Sequence, residues 1–225
     1  MIEEQGDGNT NQKLRSKIFK RTGPLDAYIY QDRGHEEDVK EAQDNVMIHP
    51  REANLEEADK EKIHIFTDGA CTNNGKRGAN AAWGLIVVLE RGSGIVSDYT
   101  VIYKDSGPIP KSETQTNQRA ELQGLLKGLR EAKKQKGRVT IWSDSQYAIN
   151  CASVWGPKWK ANGWKKQGGP IQHFDIIRDL VLETIEMGQN LSYRWLKAHT
   201  DDSRRGQFPW VFNHQVDAIA TAALA

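Results

Sequence analysis

Four carboxylates each stand within a short motif of their own. They are Asp68, Glu121, Asp144 and Asp217. Carboxylates gathered in one cleft repel each other, so a cluster of them implies a bound cation. Ligands that are all oxygen, without a thiolate or imidazole set, favour Mg²⁺ or Mn²⁺. Two such ions can clamp a phosphodiester for hydrolysis, and this is the chemistry that the four acids predict.

Each acid taken singly has a simpler interpretation. Asp68 and Asp144 follow predicted strands, where an aspartate often caps a turn. Glu121 lies on a predicted helix near Leu125, four residues on, which places it at the edge of the apolar stripe. The chain holds 30 Asp and Glu residues, so only the combination of the four motifs favours a site.

Nine segments with strand or helix periodicity would position these acids. Strands are predicted over 63–66, 83–89, 95–103, 139–142 and 191–196. Helices are predicted over 122–129, 145–154, 171–187 and 216–224. Three strands joined by short turns make an antiparallel meander. The order β-β-β-α-β-α-α-β-α then predicts an α/β fold, with a five-stranded mixed sheet extended by parallel strands and flanked by helices.

Charge is distributed unevenly along the 225 residues. Residues 1–60 hold 9 Lys and Arg against 14 Asp and Glu, a net charge of −5, and the remainder carries +6. The first 60 residues are polar and lack a sustained apolar period, so we expect a flexible or weakly packed extension. The domain that carries the four acids is predicted over 61–225. Its basic character is compatible with a polyanionic partner.

Composition argues against several classes of protein. Two cysteines, Cys71 and Cys151, lack the spacing of a zinc site or a disulfide framework. No apolar run approaches the ~18 residues of a membrane span, and the first residues are unlike a signal peptide. We therefore expect a soluble intracellular protein of the cytoplasm or nucleus, without a membrane partner and monomeric.

The four motifs together resemble those of type 1 ribonuclease H, which cuts the RNA strand of RNA/DNA hybrids. The match runs in order through Thr67–Cys71, Thr116–Glu121, Ser143–Ser145 and the pair Asn213 and Asp217. It covers about three quarters of the chain. The resemblance implies that the four acids hold two Mg²⁺ ions, with Mn²⁺ as a substitute. One ion would help to generate the attacking hydroxide and the other would stabilise the departing 3′ oxygen, leaving 5′-phosphate and 3′-hydroxyl ends.

His199 matches the histidine of a mobile loop that the family uses in proton transfer or product release. The family places this histidine about ten residues before the last acid, whereas here Asp217 follows eighteen positions later. Residues 201–210 fill the gap. A longer loop costs little closure entropy, so we expect the fold to persist. Arg204 and Arg205 in this insertion either contact phosphates or only solubilise it.

The resemblance also implies two sets of substrate contacts. Readers of the RNA 2′-hydroxyl are expected at Cys71, Asn73, Asn74, Asn117 and Gln118. Phosphate contacts to the DNA strand are expected from Thr116 and from Gln172, where the family often has Asn. Asn213 is expected to contact substrate near the last acid.

A basic and aromatic segment, 155–166, resembles the family's protrusion that grips the DNA strand. Its lysines, which suit phosphates, are Lys158, Lys160, Lys165 and Lys166. Trp155 and Tyr147 match channel residues that favour deoxyribose. Trp159 and Trp164 are interpreted as packing residues.

Two rival functions stay open. The first is a hybrid-binding module with weak or lost catalysis, against which the four intact acids argue. The second is a nuclease or transposase-like enzyme of the same fold that acts on DNA. Such enzymes lack the context of Glu121 and the Trp/Lys protrusion.

Overall fold

A five-stranded mixed sheet forms the centre of the protein, as the sequence predicts. The computed structural model describes residues 61–92, 98–197 and 204–224. The strands are β1 (Lys62–Thr72), β2 (Asn80–Arg91), β3 (Asp98–Pro108), β4 (Val139–Ser143) and β5 (Leu191–Trp195). Their spatial order is β3-β2-β1-β4-β5. The pairs β1–β2 and β2–β3 are antiparallel, whereas β1–β4 and β4–β5 are parallel.

Strand β1 extends further than its apolar run predicts. It pairs with β2 from Lys62 to Thr72, so Asp68 lies inside the strand and not at its end. The prediction that Asp68 terminates a strand is therefore wrong, because the antiparallel ladder continues through polar residues. The parallel pairing of β1 with β4 nevertheless stops at Phe66, and Asp144 directly follows β4. Both acids thus emerge where the parallel ladder ends.

The described residues form five α-helices beside the sheet. They are α1 (Asn117–Ala132), α2 (Gln146–Asn150), α3 (Gly156–Ala161), α4 (Phe174–Met187) and α5 (Trp210–Ala222). A π-helical turn, Cys151–Trp155, joins α2 to α3, so the helical segment runs well past its predicted end at residue 154. The wider turn accommodates Pro157, which has no N–H to donate to the preceding turn. Helix α5 begins six residues earlier than predicted, inside the insertion.

The two faces of the sheet pack into two separate cores. The larger, here called the helical face, joins the sheet to α1 and α4 through aliphatic residues such as Ile65, Leu125 and Ile177. The smaller, here called the aromatic face, centres on Phe66 and Phe212 with α5. Successive residues of a strand point to opposite faces, so β1 contributes to both cores along its length.

Residues 1–60, predicted as an extension, lie outside the described part of the chain. In the part that is described, no helix has both the length and the apolar character that crossing a membrane requires.

Candidate active site

Gly69 allows helix α1 to pack closely against strand β1 beside Glu121. A Cβ at Gly69 would lie 2.3 Å from the backbone nitrogen of Glu121 and 2.6 Å from the carbonyl carbon of Ala120. Gly124, one turn on, would similarly place a Cβ 2.8 Å from the Asp68 carbonyl oxygen. Helix and strand therefore meet backbone to backbone. This close approach lets a glutamate on the helix reach the aspartate on the strand.

Gly84 allows a comparable close approach of a helix on the opposite face of the sheet. It is the β2 partner of Asp68, and a Cβ there would lie 3.0 Å from the Ala220 nitrogen and from the Val216 oxygen. Helix α5 thus crosses β2 closely, beside the strand position that carries the first acid. Asp217 follows Val216 directly and is brought to the same end of the sheet.

Three of the predicted ligands converge tightly. Asp68, Glu121 and Asp144 each offer a carboxylate oxygen, and these oxygens all lie within 4.8 Å of one another. Asp68 and Glu121 are buried, and Asp144 is half-buried. Asp217 stands outside this triplet but lines the same cleft, an open space of about 380 Å³. The structure therefore brings the four acids together from β1, α1, the end of β4 and α5.

Burial and mutual repulsion make this cluster costly when it is fully ionised. The pKa of Asp68 is raised to about 8, chiefly by burial and then by the charges of Asp144 and Asp217, although the Gly69 N–H donates to its carboxylate at 2.7 Å. The pKa of Glu121 is also raised well above its usual range, by burial and then by Asp68 and Asp144. A bound cation would reverse both effects.

Two amides hold the acids in place from outside the triplet. Asn117 Nδ2 donates to Glu121 Oε1 at 3.4 Å, one helical turn away on α1. Asn213 Nδ2 donates to Asp144 Oδ2 at 3.3 Å and links α5 to the end of β4. Sequence reasoning assigned both asparagines to the substrate, so their bonds to the acids are an added role. Both residues also line the cleft.

The residues present fit a divalent cation. Within the described residues, the buried Oε2 of Glu121 and Oδ1 of Asn213 have no hydrogen-bond partner. A buried acceptor without a donor costs free energy that a cation would recover. The donors at the centre are carboxylate oxygens, the ligands that Mg²⁺ and Mn²⁺ prefer.

The cleft contains four further residues that were not predicted as site residues, although the sequence left a phosphate contact open for one of them, Arg205. They are Lys197, Arg205, Trp210 and His214. Trp210 and His214 belong to α5, and the apolar spacing of Phe212, Val216 and Ala220 could have revealed that this helix starts before residue 213. Lys197 follows β5, and no periodic signal marks it. His199, the predicted loop histidine, lies outside the described residues.

The predicted 2′-hydroxyl readers cluster around the β1–β2 turn and the start of α1. Asn73 has a left-handed backbone, φ 51°, and its carbonyl accepts from Lys76 N at 2.8 Å, as expected of turn chemistry. Asn74 Oδ1 accepts from Asn117 N at 3.1 Å, which joins the turn to the helix. Cys71 is the last but one residue of β1, next to this turn, and Gln118 is exposed on the first turn of α1.

Thr116 caps helix α1, with its hydroxyl accepting from Arg119 N at 3.3 Å. Arg119 in turn is buried and donates to both oxygens of Asp175, at 3.2 and 2.6 Å, so the helix start is tied to α4. The structure thus gives Thr116 a structural task, and its contact with a DNA phosphate stays a prediction.

A second groove contains several of the residues predicted to hold the DNA strand. It is lined by Tyr147, Trp155, Trp159, Lys166, Gln167, Ile171 and Gln172. The rings of Tyr147 and Trp155 lie 6.1 Å apart, and Trp155 is exposed. Lys158, Lys160 and Lys165 are exposed on the same segment but do not line this groove. Trp159 and Trp164 pack against the helical face, in agreement with their interpretation as packing residues.

Comparison with known proteins agrees with this architecture. Ribonuclease H of Chlorobium phaeobacteroides (strain BS1) is 29% identical over 167 residues, which are 73% of this chain and 97% of that protein. Ribonuclease H of Francisella philomiragia is also 29% identical over 167 residues, 74% of this chain and 93% of its own.

Solved structures show the same fold. The solution structure of the PFV RNase H domain matches with a TM-score of 0.60 at 22% identity, covering 73% of this chain and 95% of that one. LC9-RNase H1, described as a type 1 RNase H with the type 2 active-site motif, gives a TM-score of 0.55 at 23% identity, covering 72% and 71%. The family model for RNase H matches residues 60–225. The chain therefore belongs to the ribonuclease H family of nucleases.

Proposed function

We propose that this protein is an endoribonuclease that hydrolyses the RNA strand of RNA/DNA hybrids with the help of two Mg²⁺ ions, leaving 5′-phosphate and 3′-hydroxyl ends. One observation carries the proposal. Three carboxylates from β1, α1 and the end of β4 have oxygens within 4.8 Å of one another, in a cleft that also contains Asp217. A cluster of this kind is unfavourable without cations and suits phosphodiester hydrolysis with them.

The four acids would hold the ions. They are Asp68, Glu121, Asp144 and Asp217. When bound, the ions supply activation of the attacking water and stabilisation of the departing oxygen. The protein contributes preorganisation: Asn117 orients the Glu121 carboxylate, Asn213 orients that of Asp144, and burial excludes bulk water from Asp68. His199 is proposed to assist proton transfer or product release.

Two surfaces flank the acids and would read the two strands. The turn with Asn73 and Asn74, together with Cys71 and Gln118, would contact RNA 2′-hydroxyls in the minor groove. The second groove would contact the DNA strand. The rings of Tyr147 and Trp155 would lie against deoxyribose, and Lys166 and Gln172 would contact a phosphate. Thr116, Asn213 and the exposed lysines Lys158, Lys160 and Lys165 would add further contacts. A foamy viral protease-reverse transcriptase, 24% of which matches this fold, was solved in complex with an RNA/DNA hybrid, in agreement with such a substrate.

Asp144→Asn tests the proposal. We expect this variant to lose at least about a thousandfold in hybrid cleavage, because it removes one charged ligand while keeping the shape of the side chain. Binding of the hybrid should persist, since both reading surfaces are unchanged. Activity is measured with an end-labelled RNA/DNA hybrid in a Mg²⁺ titration, and the product ends are assigned with a phosphatase and a 5′-kinase.

Asp98→Asn is the matched control, since Asp98 is exposed at the start of β3 and lines neither the acidic cleft nor the second groove. Undiminished cleavage by Asp144→Asn would contradict the proposed metal-dependent cleavage at these acids. Double-stranded RNA and DNA of the same sequence are tested in parallel, and cleavage of DNA alone would favour the rival enzyme of the same fold. Hybrid binding without cleavage by the unaltered protein would favour a binding module.

We also propose that residues 61–225 form the catalytic domain and act as a monomer. The cleavage rate of this fragment beside the full chain, with sedimentation to measure mass, tests both statements. A fragment that folds but does not cleave the hybrid would show that the first 60 residues are required.

A further inference from the structure

We propose that Arg205, on the segment that leads into α5, binds a phosphate of the hybrid at the acidic cleft. This inference rests on the proposed function and adds to it a cationic contact on the side of the cleft formed by α5 and its approach. The short segment Arg204–Pro209 is called the approach segment below. The sequence alone left open whether Arg205 contacts a phosphate or only solubilises the insertion.

The cleft is lined by both acidic and basic side chains. Asp68, Glu121 and Asp144 line it, and so do Lys197, Arg205 and Trp210. Carboxylates repel a phosphodiester. A cationic side chain beside them would therefore favour substrate binding in addition to the bound ions. Of the two cations, the guanidinium presents a planar set of donors that matches two phosphate oxygens at once.

The approach segment is anchored at both ends, which limits where Arg205 can be. Phe208 stacks on Tyr99 with ring centroids 4.2 Å apart and meets His64 edge-on at 5.0 Å. Arg204 places its guanidinium carbon 5.1 Å from the centre of the Trp210 ring. These contacts hold the residues on either side of Arg205.

Backbone hydrogen bonds complete the anchoring. Gln207 N donates to Arg204 O at 2.9 Å and closes a turn around Arg205. Val211 N donates to Gln207 O at 2.9 Å, and this bond connects the turn to the start of α5. Pro209 is buried between them. Arg205 is thus presented to the cleft from a constrained turn and not from a freely moving loop.

A different role for Arg205 gives different measurements. A guanidinium near three carboxylates could serve only as their counter-ion. Removing such a counter-ion would leave the Michaelis constant for the hybrid unchanged and would tighten Mg²⁺ binding, because the acids lose a competing cation. If Arg205 instead contacts a phosphate, its removal should raise the Michaelis constant for the hybrid and leave Mg²⁺ binding nearly unchanged.

The experiment compares Arg205→Ala, Arg205→Lys and Arg138→Gln in the full-length protein. Arg138 is an exposed arginine that precedes β4, at the opposite end of that strand from Asp144, and it lines neither groove. Arg205→Ala is expected to lower kcat/KM for the hybrid by about tenfold to a hundredfold, mostly through KM. Arg205→Lys should recover part of this loss, because it keeps the charge but not the paired donors.

Salt dependence supplies a second readout. Loss of one phosphate contact reduces the slope of log kcat/KM against log salt concentration by about 1. Arg138→Gln should leave both KM and this slope unchanged. Mg²⁺ affinity, measured by calorimetry without substrate, should stay within about twofold in Arg205→Ala. An unchanged KM together with tighter Mg²⁺ binding would show a counter-ion and overturn the proposal.

Phe208→Ala tests whether the anchored turn presents the arginine. It should raise KM in the protein with Arg205 and have little further effect on KM in Arg205→Ala, when both are assayed well below their unfolding temperatures. Additive effects would show that the two residues act independently and would reject the positioning argument.

Failure of this inference and failure of the proposed function are separable. If the unaltered protein cleaves the hybrid and Asp144→Asn does not, the proposed function stands whatever Arg205 does. If Arg205→Ala then matches the unaltered protein in KM and salt slope, only the inference about Arg205 is wrong.

Discussion

On each face of the sheet, a glycine allows a helix that carries an acid of the cleft to approach a strand closely, but the two contacts differ in tightness. On the helical face, Gly69 lets α1 approach so closely that an added Cβ would lie 2.3 Å from backbone, and Glu121 is buried. On the aromatic face, Gly84 lets α5 approach to 3.0 Å, and Asp217 is only half-buried. One half of the site is therefore built into a close-packed backbone contact, whereas the other half has room to adjust.

The composition of the two cores matches this difference. The helical face is mainly aliphatic and draws on two long helices that pack on each other and on the sheet. The aromatic face is small and includes Phe208 from the approach segment as well as Tyr99 from the edge strand β3. A core assembled from a connecting segment has fewer constraints than one assembled from two helices.

The largest expected effect comes from adding one methyl group to each glycine. Gly69→Ala should cost about 3 kcal/mol of stability and most of the cleavage activity, because α1 must move away from β1. Gly84→Ala should cost about 1 kcal/mol, since α5 needs to shift by only a few tenths of an ångström. Urea unfolding and Mg²⁺ titration of both variants measure the difference. Equal losses would contradict the idea of one tight and one adjustable half.

A second prediction concerns the acid that lies between the two helices. Because the pKa of Asp68 is raised to about 8, the metal-free folded protein keeps this proton up to a higher pH than the unfolded chain does. Stability without metal should therefore fall as pH rises from about 4 to about 8. Asp68→Asn removes this loss and should stabilise the metal-free protein at pH 7 by roughly 2–4 kcal/mol.

Thermal unfolding in a chelator and in excess Mg²⁺ checks this prediction. The gain should shrink in Mg²⁺, because the ion stabilises only the protein that retains its ligand. Asp98→Asn serves as the control and should show no gain in either buffer. A variant that is less stable than the unaltered protein in chelator would mean that Asp68 is well compensated without an ion.

The smallest expected effect belongs to a buried histidine on the aromatic face. His64 Nε2 lies 2.7 Å from Glu90 Oε2, and Trp142 Nε1 donates to His64 Nδ1 at 3.1 Å, so the neutral ring donates to the glutamate. Burial lowers the pKa of His64, against the opposing effect of Glu90. The unfolded chain then takes up this proton first, and stability should decline as pH falls below about 6.5.

His64→Gln should remove about 1 kcal/mol of this decline between pH 7 and 5. The measurement is urea unfolding at both pH values, with the difference between variant and unaltered protein as the quantity of interest. Burial also lowers the pKa of His173, which precedes α4 on the helical face, so the difference between His64→Gln and the unaltered protein is what isolates the contribution of the aromatic face. A stability that rises toward pH 5 in the unaltered protein would contradict it.

Much of this arrangement could be predicted from the sequence. The order of strands and helices along the chain, the mixed sheet and the helix that carries Glu121 follow from apolar periodicity, because each segment buries one stripe or one face. The boundaries of β1, of the segment after Asp144 and of α5 did not follow. Antiparallel pairing carried β1 through polar residues, a π turn formed just before Pro157, and α5 began within an insertion that the motifs do not cover.

The sequence by itself determined which residue types could form the site and which elements would carry them, since motifs and periodicity are local properties. Only the tertiary structure decided how closely those elements meet. The contacts of Gly69 and Gly84, the bond from Asn213 to Asp144, and the place of Arg205 in the cleft all join residues distant in the chain. Such contacts depend on the distance between packed backbones, which no short window of sequence encodes.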